Sequence, residues 1–229
     1  MSIKDKYKVQ SIDNYLLKEW LLKKHYLRRM PSISYAFGLY NNNILYGVIT
    51  FGNAIPDQMR KSICGEEYKQ YVYELNRLVI DEPHDKNLGS YFVSNALKLL
   101  PKPLIIVSYA DTENGHNGYI YQASNFIYTG LSHTQKDWKI KGKENLHSRT
   151  LMDEFAFQED RIKKLKQKYG ELLYQVERKP KHRYIYFLGN KHQLKEFHKN
   201  ANFKSCEYPK GENKRYDASY KPVSQINLF

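Results

Sequence analysis

The stretch "VSYADTENGHNGYIYQASNFIYTG", Val107 to Gly130, gathers side chains that can move protons. The apolar run "LIIV" ends in Ser108, Tyr109 and Asp111. A turn with two glycines and His116 follows, then Tyr119, Tyr121, Phe126 and Tyr128. A carboxylate at the C-terminal end of a central strand stands where α/β folds place ligands. There it can accept a proton or orient an amine. Asp111 also suits an Asx turn or helix cap opening "DTENGHNG", and both roles can hold at once. Ser108 and Ser94 are candidates for hydrogen bonds to a substrate, whereas Tyr119 and Tyr128 read as core packing on "LIIV". Arg77, in "ELNRL", is a charge inside a strand. It suits a bound phosphate or an ion pair with Glu74 or Asp81.

These residues need a scaffold, and the periodicities supply one. "SIDNYLLKEWLLKKH" spaces Tyr15, Leu16, Trp20 and Leu21 helically behind Ser11 or Asp13. "YAFGLYNNNILYGVITFG" reads as a hairpin with an Asn-rich turn ending at Gly52, and "QYVYELNRLVID" as another strand. "DKNLGSYFVSNALKLLPK" is a loop feeding a helix that Pro101 stops. "PLIIVSYAD" is a buried strand, "GYIYQASNFI" a helical turn, and "YTGLSHTQKDWKI" one further strand. This order predicts a mixed α/β sheet with flanking helices rather than a doubly wound nucleotide fold. Beyond it, "EDRIKKLKQKYGELLYQ" reads as a charged helix with Leu165, Leu172 and Leu173 docked. "HRYIYFLG" is a strand and "NKHQLKEFHKNANF" a short helix.

The chain has 229 residues and a formal net charge of +13. Residues 1–130 hold 15 Lys/Arg against 12 Asp/Glu; residues 131–229 hold 22 against 12. So uneven a charge points to a polyanion partner, and the tyrosines set among the basic residues of "EYPKGENKRYDASY" favour nucleic acid, whose bases stack on such rings. No apolar run is long enough to cross a bilayer, and the N-terminus lacks a signal peptide's apolar segment. Cys64 and Cys206 lack metal-site spacing, and the chain reads as cytoplasmic.

The order of elements resembles the GNAT acyltransferase fold. In that fold a loop and helix N-terminus after a strand hold the pyrophosphate of acetyl-CoA, as unpaired N–H groups attract phosphate. "LVIDEPHDKNLGSYFVSNALKLL" occupies that place. The usual loop has an Arg or Gln and two glycines; here Gly89 stands with Lys86, Asn87 and Ser90. More specifically, "KKHYLRRMP", "ELNRLVID", "SYADTENGHNGYIYQASNFIYTG" and "NKRYDASYKP", in that order, resemble the phage Mom family of DNA-modification proteins.

The resemblance implies conversion of adenine N6 in double-stranded DNA to a carbamoylmethyl form that shields the DNA from restriction, with acetyl-CoA as cofactor and iron implicated. It makes His25 and Tyr26 active-site residues, His25 as a base or a metal ligand, and Asp111 a base or a partner of His25 on a metal. Tyr121 matches the tyrosine that GNAT enzymes use as general acid. Arg77, with Lys86, Asn87, Gly89 and Ser90, is assigned to the cofactor. Arg28, Arg29, Lys210, Lys214 and Arg215 are assigned to the DNA backbone. The expected division is a catalytic domain at 1–140 and a basic extension at 141–229 that contacts DNA. An ordinary GNAT N-acetyltransferase acting on protein, RNA or a small amine would have a complete pyrophosphate loop. A non-enzymatic DNA-binding protein would not gather His25, Asp111 and Tyr121 in one cleft.

If residues 131–229 neutralise about six phosphates, DNA affinity should fall with salt at a log–log slope near about −5. Replacing Lys210, Lys214 and Arg215 with alanine should flatten it by up to about 3, measured by titration at several salt concentrations. An unchanged slope would place the contact elsewhere.

Overall fold

The computed structural model describes residues 2–53, 55–144 and 146–211. Its strands are β1 (Tyr7–Ser11), β2 (Tyr35–Asn41), β3 (Ile44–Gly52), β4 (Val72–Ile80), β5 (Leu104–Ala110), β6 (Ile127–Leu131), β7 (Gln135–Ile140), β8 (Leu173–Arg178) and β9 (His182–Leu188). Its helices are α1 (Ile3–Lys6), α2 (Asn14–Glu19), α3 (Asp57–Cys64), α4 (Leu88–Leu99), α5 (Tyr119–Ala123), α6 (Ser148–Asp153), α7 (Arg161–Tyr169) and α8 (Lys191–Lys199). The chain divides into two compact units. Among the described residues, one joins those up to Gly130 with those from His182 to Gly211; the other lies within Leu131–Lys181.

The first unit is a seven-stranded sheet in the order β1-β2-β3-β4-β5-β9-β6. The β2–β3 hairpin forms where expected. Asn42 and Asn43 take φ 48° and 65°, the left-handed pair that a two-residue turn requires and asparagine tolerates. Neighbours run antiparallel from β1 to β4 and from β5 to β9, but β4 and β5 are parallel. Alternation sends Ile49, Phe51 and Ile106 to a core with α4, while Ile105 and Val107 face a second core with Ile63 of α3 and Phe197 of α8. Leu17, Trp20 and Leu21 pack on Val48 and Val79.

The β4–β5 ladder is short. It runs through Val72↔Ile105, Tyr73↔Ile106 and Glu74↔Val107 and then stops. β4 continues beside β3 to Ile80, and β5 beside β9 to Ala110. The two strands therefore part in the middle of the sheet, and the far end of each borders the gap between them.

The structure corrects several sequence expectations. The helix before His25 buries Leu17, Trp20 and Leu21, while Tyr15 and Leu16 are exposed, because the buried face follows the spacing set by Trp20 and Leu21. "YTGLSHTQKDWKI" forms two strands in different sheets, β6 and β7. The division also differs from the expected boundary at residue 140: β9 returns to the central sheet between β5 and β6. Tyr184, Ile185, Phe187 and Leu188 are all buried, as an interior strand covered on both faces demands. The basic 131–181 segment is thus an insertion. It pairs β7 with β8 and has a core of Ile140, Leu151 and Leu165, in which Leu173 shares and from which Leu172 is exposed. Among the described residues no helix is long and apolar enough to cross a membrane.

A loop from His25 to Ser34 is pinned onto this sheet. Ser34 N–H donates to Phe51 O at 2.8 Å and Asn76 Nδ2 donates to Ser32 O at 2.8 Å. Thr50 Oγ1 donates to Asn76 Oδ1 at 2.6 Å and so fixes that amide. Gly52 permits the approach, since a Cβ there would collide with the Ser32 carbonyl. Gly52→Ala should therefore cost about 1–3 kcal/mol in urea unfolding and displace the loop. An unchanged midpoint would mean the loop yields freely.

Candidate active site

α2 ends in a wider turn, Trp20–Lys24, closed by His25 N–H donating to Trp20 O at 2.9 Å. The added residue in this π-type turn changes which way His25 faces relative to an ordinary helix, and such turns recur at functional sites. His25 is only 5% exposed. Its Nδ1 accepts a hydrogen bond from Leu27 N–H at 3.1 Å, which places the proton of the neutral ring on Nε2. Burial, and then the positive charge of Arg77, push the imidazole down from 6.5 to about 3. His25 is a neutral ring with its proton on Nε2.

The imidazole stacks on Tyr26, with ring centroids 4.5 Å apart at 26°. Tyr26 in turn meets His116 edge to face at 6.5 Å. His116 belongs to the turn after β5, where its N–H donates to Asp111 O at 3.0 Å. Asp111 is buried and caps the short turn Thr112–Asn114, its Oδ1 accepting from Glu113 N–H at 3.1 Å. The capping reading of Asp111 thus holds, and one carboxylate oxygen makes that bond. The backbone bond from His116 to Asp111 thus ties the turn that Asp111 caps to the ring that meets Tyr26.

Arg77 enters from β4. Nη1 donates to Asn76 O at 2.6 Å and Nη2 approaches Arg29 O at 3.5 Å. Its Nε is buried with no hydrogen-bond partner among the described residues. Burial lowers its pKa, while the nearby Tyr26 and Glu74 favour its charge. Arg77 therefore belongs with His25 and Tyr26, apart from the start of α4.

On the β5 side, Ser108 Oγ donates to Leu75 O at 3.2 Å, so a side chain spans the point where the two strands separate. The Tyr121 phenol lies beside Ser108. Burial raises its pKa above 10; Ser108 acts in the opposite sense and Glu74 adds to the rise. Tyr121 is a protonated donor packed on Phe126 and Tyr184. Glu74 acts electrostatically on both Arg77 and Tyr121. In sequence Glu74 reads only as a partner for Arg77; the signal for more is polar residues at 74 and 76 in a strand meant for the core.

Lys86, Asn87, Gly89 and Ser90 form a separate group at the start of α4. Lys86 and Asn87 are exposed, and Ser90 Oγ donates to Asn87 O at 3.0 Å. Gly89 faces Ile120, where a Cβ would stand 3.0 Å from Cδ1, so its missing side chain serves the packing of α4 on α5. Asp81 pairs with Lys24 and Asp85 with Lys6 at 3.1 Å, so two of the acids before the helix are offset, and Glu82 lies 3.2 Å from His84 Nε2. Ser94 is half-buried midway along α4, outside the cluster. Arg28 is exposed at φ 42°. Lys210 is exposed between Pro209, whose carbonyl accepts from Gln122 at 3.4 Å, and Gly211, whose carbonyl accepts from Tyr119. Lys214 and Arg215 lie outside the described residues. Iron fits poorly: among the described residues no group of three or more His, Cys, Asp or Glu gathers as a metal site, and the His25 Nδ1 lone pair is already engaged.

Unfolded, His25 takes up a proton near pH 6.5; folded, only near 3. Between those values the unfolded chain binds more protons, so stability present above pH 6.5 is lost as the pH falls. In urea unfolding between pH 6 and 5, His25→Gln should lower the slope of stability against pH by about 1.4 kcal/mol per unit. An unaltered slope would show an ordinary, hydrated histidine.

The Mom protein family model matches residues 6–210. The chain is 32% identical over 142 residues to the methylcarbamoylase Mom of Escherichia phage Mu, a match covering 59% of this chain and 58% of that protein. It thus spans a little over half the length of that relative. Among solved structures it is similar to a putative acetyltransferase from Salmonella typhimurium with its cofactor acetyl-CoA. There the identity is 10%, the coverage 81% of this chain and 95% of that one, and the TM-score 0.44. An N-acetyltransferase from Staphylococcus aureus Mu50 is 14% identical over 79% of this chain and 98% of that one, with a TM-score of 0.42. With the family match running through nearly the whole described chain, this protein belongs to the Mom protein family.

Proposed function

We propose that the chain is a DNA-modifying enzyme that converts the N6 amino group of adenine to a carbamoylmethyl form, using an acyl-CoA. The observation that carries this reading is the meeting of His25, Tyr26, Arg77 and the Asp111 turn beside the parted β4 and β5, in a chain of the Mom family.

Adenine N6 is a weak nucleophile because its lone pair is delocalised into the ring, and it is engaged in pairing while the duplex is closed. Base extrusion is therefore part of the reaction. Asp111 holds a carboxylate at a strand end and accepts the proton that N6 loses as its new bond forms. His25 is not the base: its neutral ring donates from Nε2 and orients an acceptor on the base. An acceptor and a donor so placed suit an aminopurine edge.

When bound, an acyl-CoA would supply a thioester carbonyl carbon: bond formation from N6 breaks the C–S bond, releases the CoA thiolate and gives an N6-amide. The carbamoylmethyl group joins N6 through a methylene and carries its own amide nitrogen, so it is formed by a separate step to which no residue here is assigned. The exposed Lys86 and Asn87, with the first turn of the 12-residue α4, suit its phosphates. The buried Arg77 Nε offers an unused donor inside the cluster. Tyr121, kept protonated by burial, can donate a hydrogen bond to a leaving thiolate, and Ser108 holds the phenol in place. Lys210, Arg28 and Arg29 face the phosphates flanking the target base.

Mass spectrometry of nucleosides from the DNA of cells producing the protein should reveal the modified adenine. Asp111→Asn keeps the Oδ1 acceptor for Glu113 N–H, so unfolding should be near normal while product falls about a hundredfold or more. Full modification by a stable Asp111→Asn protein would remove Asp111 from the chemistry, and unmodified adenine with the wild-type protein would defeat the proposed activity.

A further inference from the structure

The inserted unit, Leu131–Lys181, displays a side chain that its own core does not use. Phe157 is fully exposed, and its backbone takes φ 66°, a region that phenylalanine rarely adopts. The turn is fixed on both sides. Ala156 N–H donates to Asp153 O at 3.0 Å and Gln158 N–H donates to Phe155 O at 3.2 Å. Lys164 Nζ then donates to Gln158 Oε1 at 2.7 Å, tying the residue after Phe157 to α7. Of the two phenylalanines in "EFAFQ", Phe155 packs against the small core, while Phe157 is held out to solvent.

The adjoining part of α7 borders an open groove of about 540 Å³. Met152 and Ile162 give it apolar surface, and Arg161, Lys163 and Lys166 line it with cations beside a single acid, Asp160. Nearby acids are partly satisfied already: Glu154 pairs with Lys168 at 2.7 Å and Asp153 with Arg149 at 3.4 Å. Glu159 stays exposed, yet the unit as a whole carries 13 Lys/Arg against 8 Asp/Glu. Apolar surface walled by cations suits a sugar–phosphate edge, and an exposed ring suits the face of a base. A neutral protein pocket would accept the ring but leave the cations without partners.

We propose that Phe157 is an aromatic wedge that stacks on the bases of duplex DNA while Arg161, Lys163 and Lys166 hold the adjoining backbone. The proposal rests on the DNA-modification reading and deepens it. An apolar side chain that enters a base step stacks there and bends the duplex, so a DNA-modifying chain gains grip on its substrate from such a residue.

The test is a fluorescence titration of Phe157→Trp with a short duplex, run beside the wild-type chain, whose Trp20 and Trp138 set the background. The variant should show added quenching on binding. Phe157→Ser should weaken duplex affinity by about tenfold, with unchanged unfolding because the ring is fully exposed. Lys163→Gln with Lys166→Gln should flatten the salt slope by about 2. Absence of added quenching, or wild-type affinity in Phe157→Ser, would overturn the wedge. So would a Phe157→Trp signal that depends on protein concentration without DNA, since the ring would then lie between copies of the chain. Quenching with no modified adenine in the nucleoside assay would instead sink the enzymatic reading and leave the wedge standing.

Discussion

The parting of β4 from β5 after Glu74 and Val107 is the constraint on which the candidate site depends. In a closed sheet the backbone groups beyond that point would pair with each other. Here β3 and β9 hold the two strands apart, so each gap-facing group needs another partner or a ligand. Ser108 meets one such need by reaching across to Leu75 O. Glu74 and Arg77 on one strand, and Ser108 and Asp111 at the end of the other, border the same opening. A sheet that stayed paired would bury these polar groups against one another.

A second support brings in what the sheet cannot supply. His25 and Tyr26 come from a loop remote in sequence, and Gly52, Thr50 and Asn76 fasten that loop to the sheet. Burying the imidazole near Arg77 removes its charge, and the bond from Leu27 N–H decides which nitrogen keeps the proton. The result is a neutral ring with its proton on Nε2, stacked on Tyr26 and connected through His116 to the turn that Asp111 caps.

The basic segment is legible in the sequence as charge but not as architecture. Its net charge is plain in the residue counts, and its position late in the chain suggests a tail. The structure makes 131–181 an insertion between two strands of the central sheet, with β9 and α8 returning to the first unit. Insertions at strand ends leave the host sheet intact, since both ends of the inserted segment lie at its surface. A basic unit can therefore be added without rebuilding the site.

The sequence by itself determined the hairpin at Asn42 and Asn43, the helix before Pro101, the buried strand ending in Asp111 and the turn after it. Each rests on local rules: left-handed asparagines, helical spacing and a short acceptor at a cap. By resemblance it also assigned His25, Tyr26, Asp111 and Tyr121 to one site. Only the tertiary structure decided which of them touch: rings of His25, Tyr26 and His116 meet in turn, while Tyr121 packs on Phe126 and Tyr184. The π-type turn that aims His25 depends on burying Trp20 and Leu21 against Val48 and Val79, which lie far along the chain. The neutral state of His25 comes from burial beside Arg77, and spacing carries no trace of it. Gly89 has the look of a phosphate glycine, yet its bare Cα faces Ile120. Glu74 gained its importance from the end of a ladder. Long-range pairing, burial and the field of distant charges arise when remote segments pack, and local pattern does not encode them.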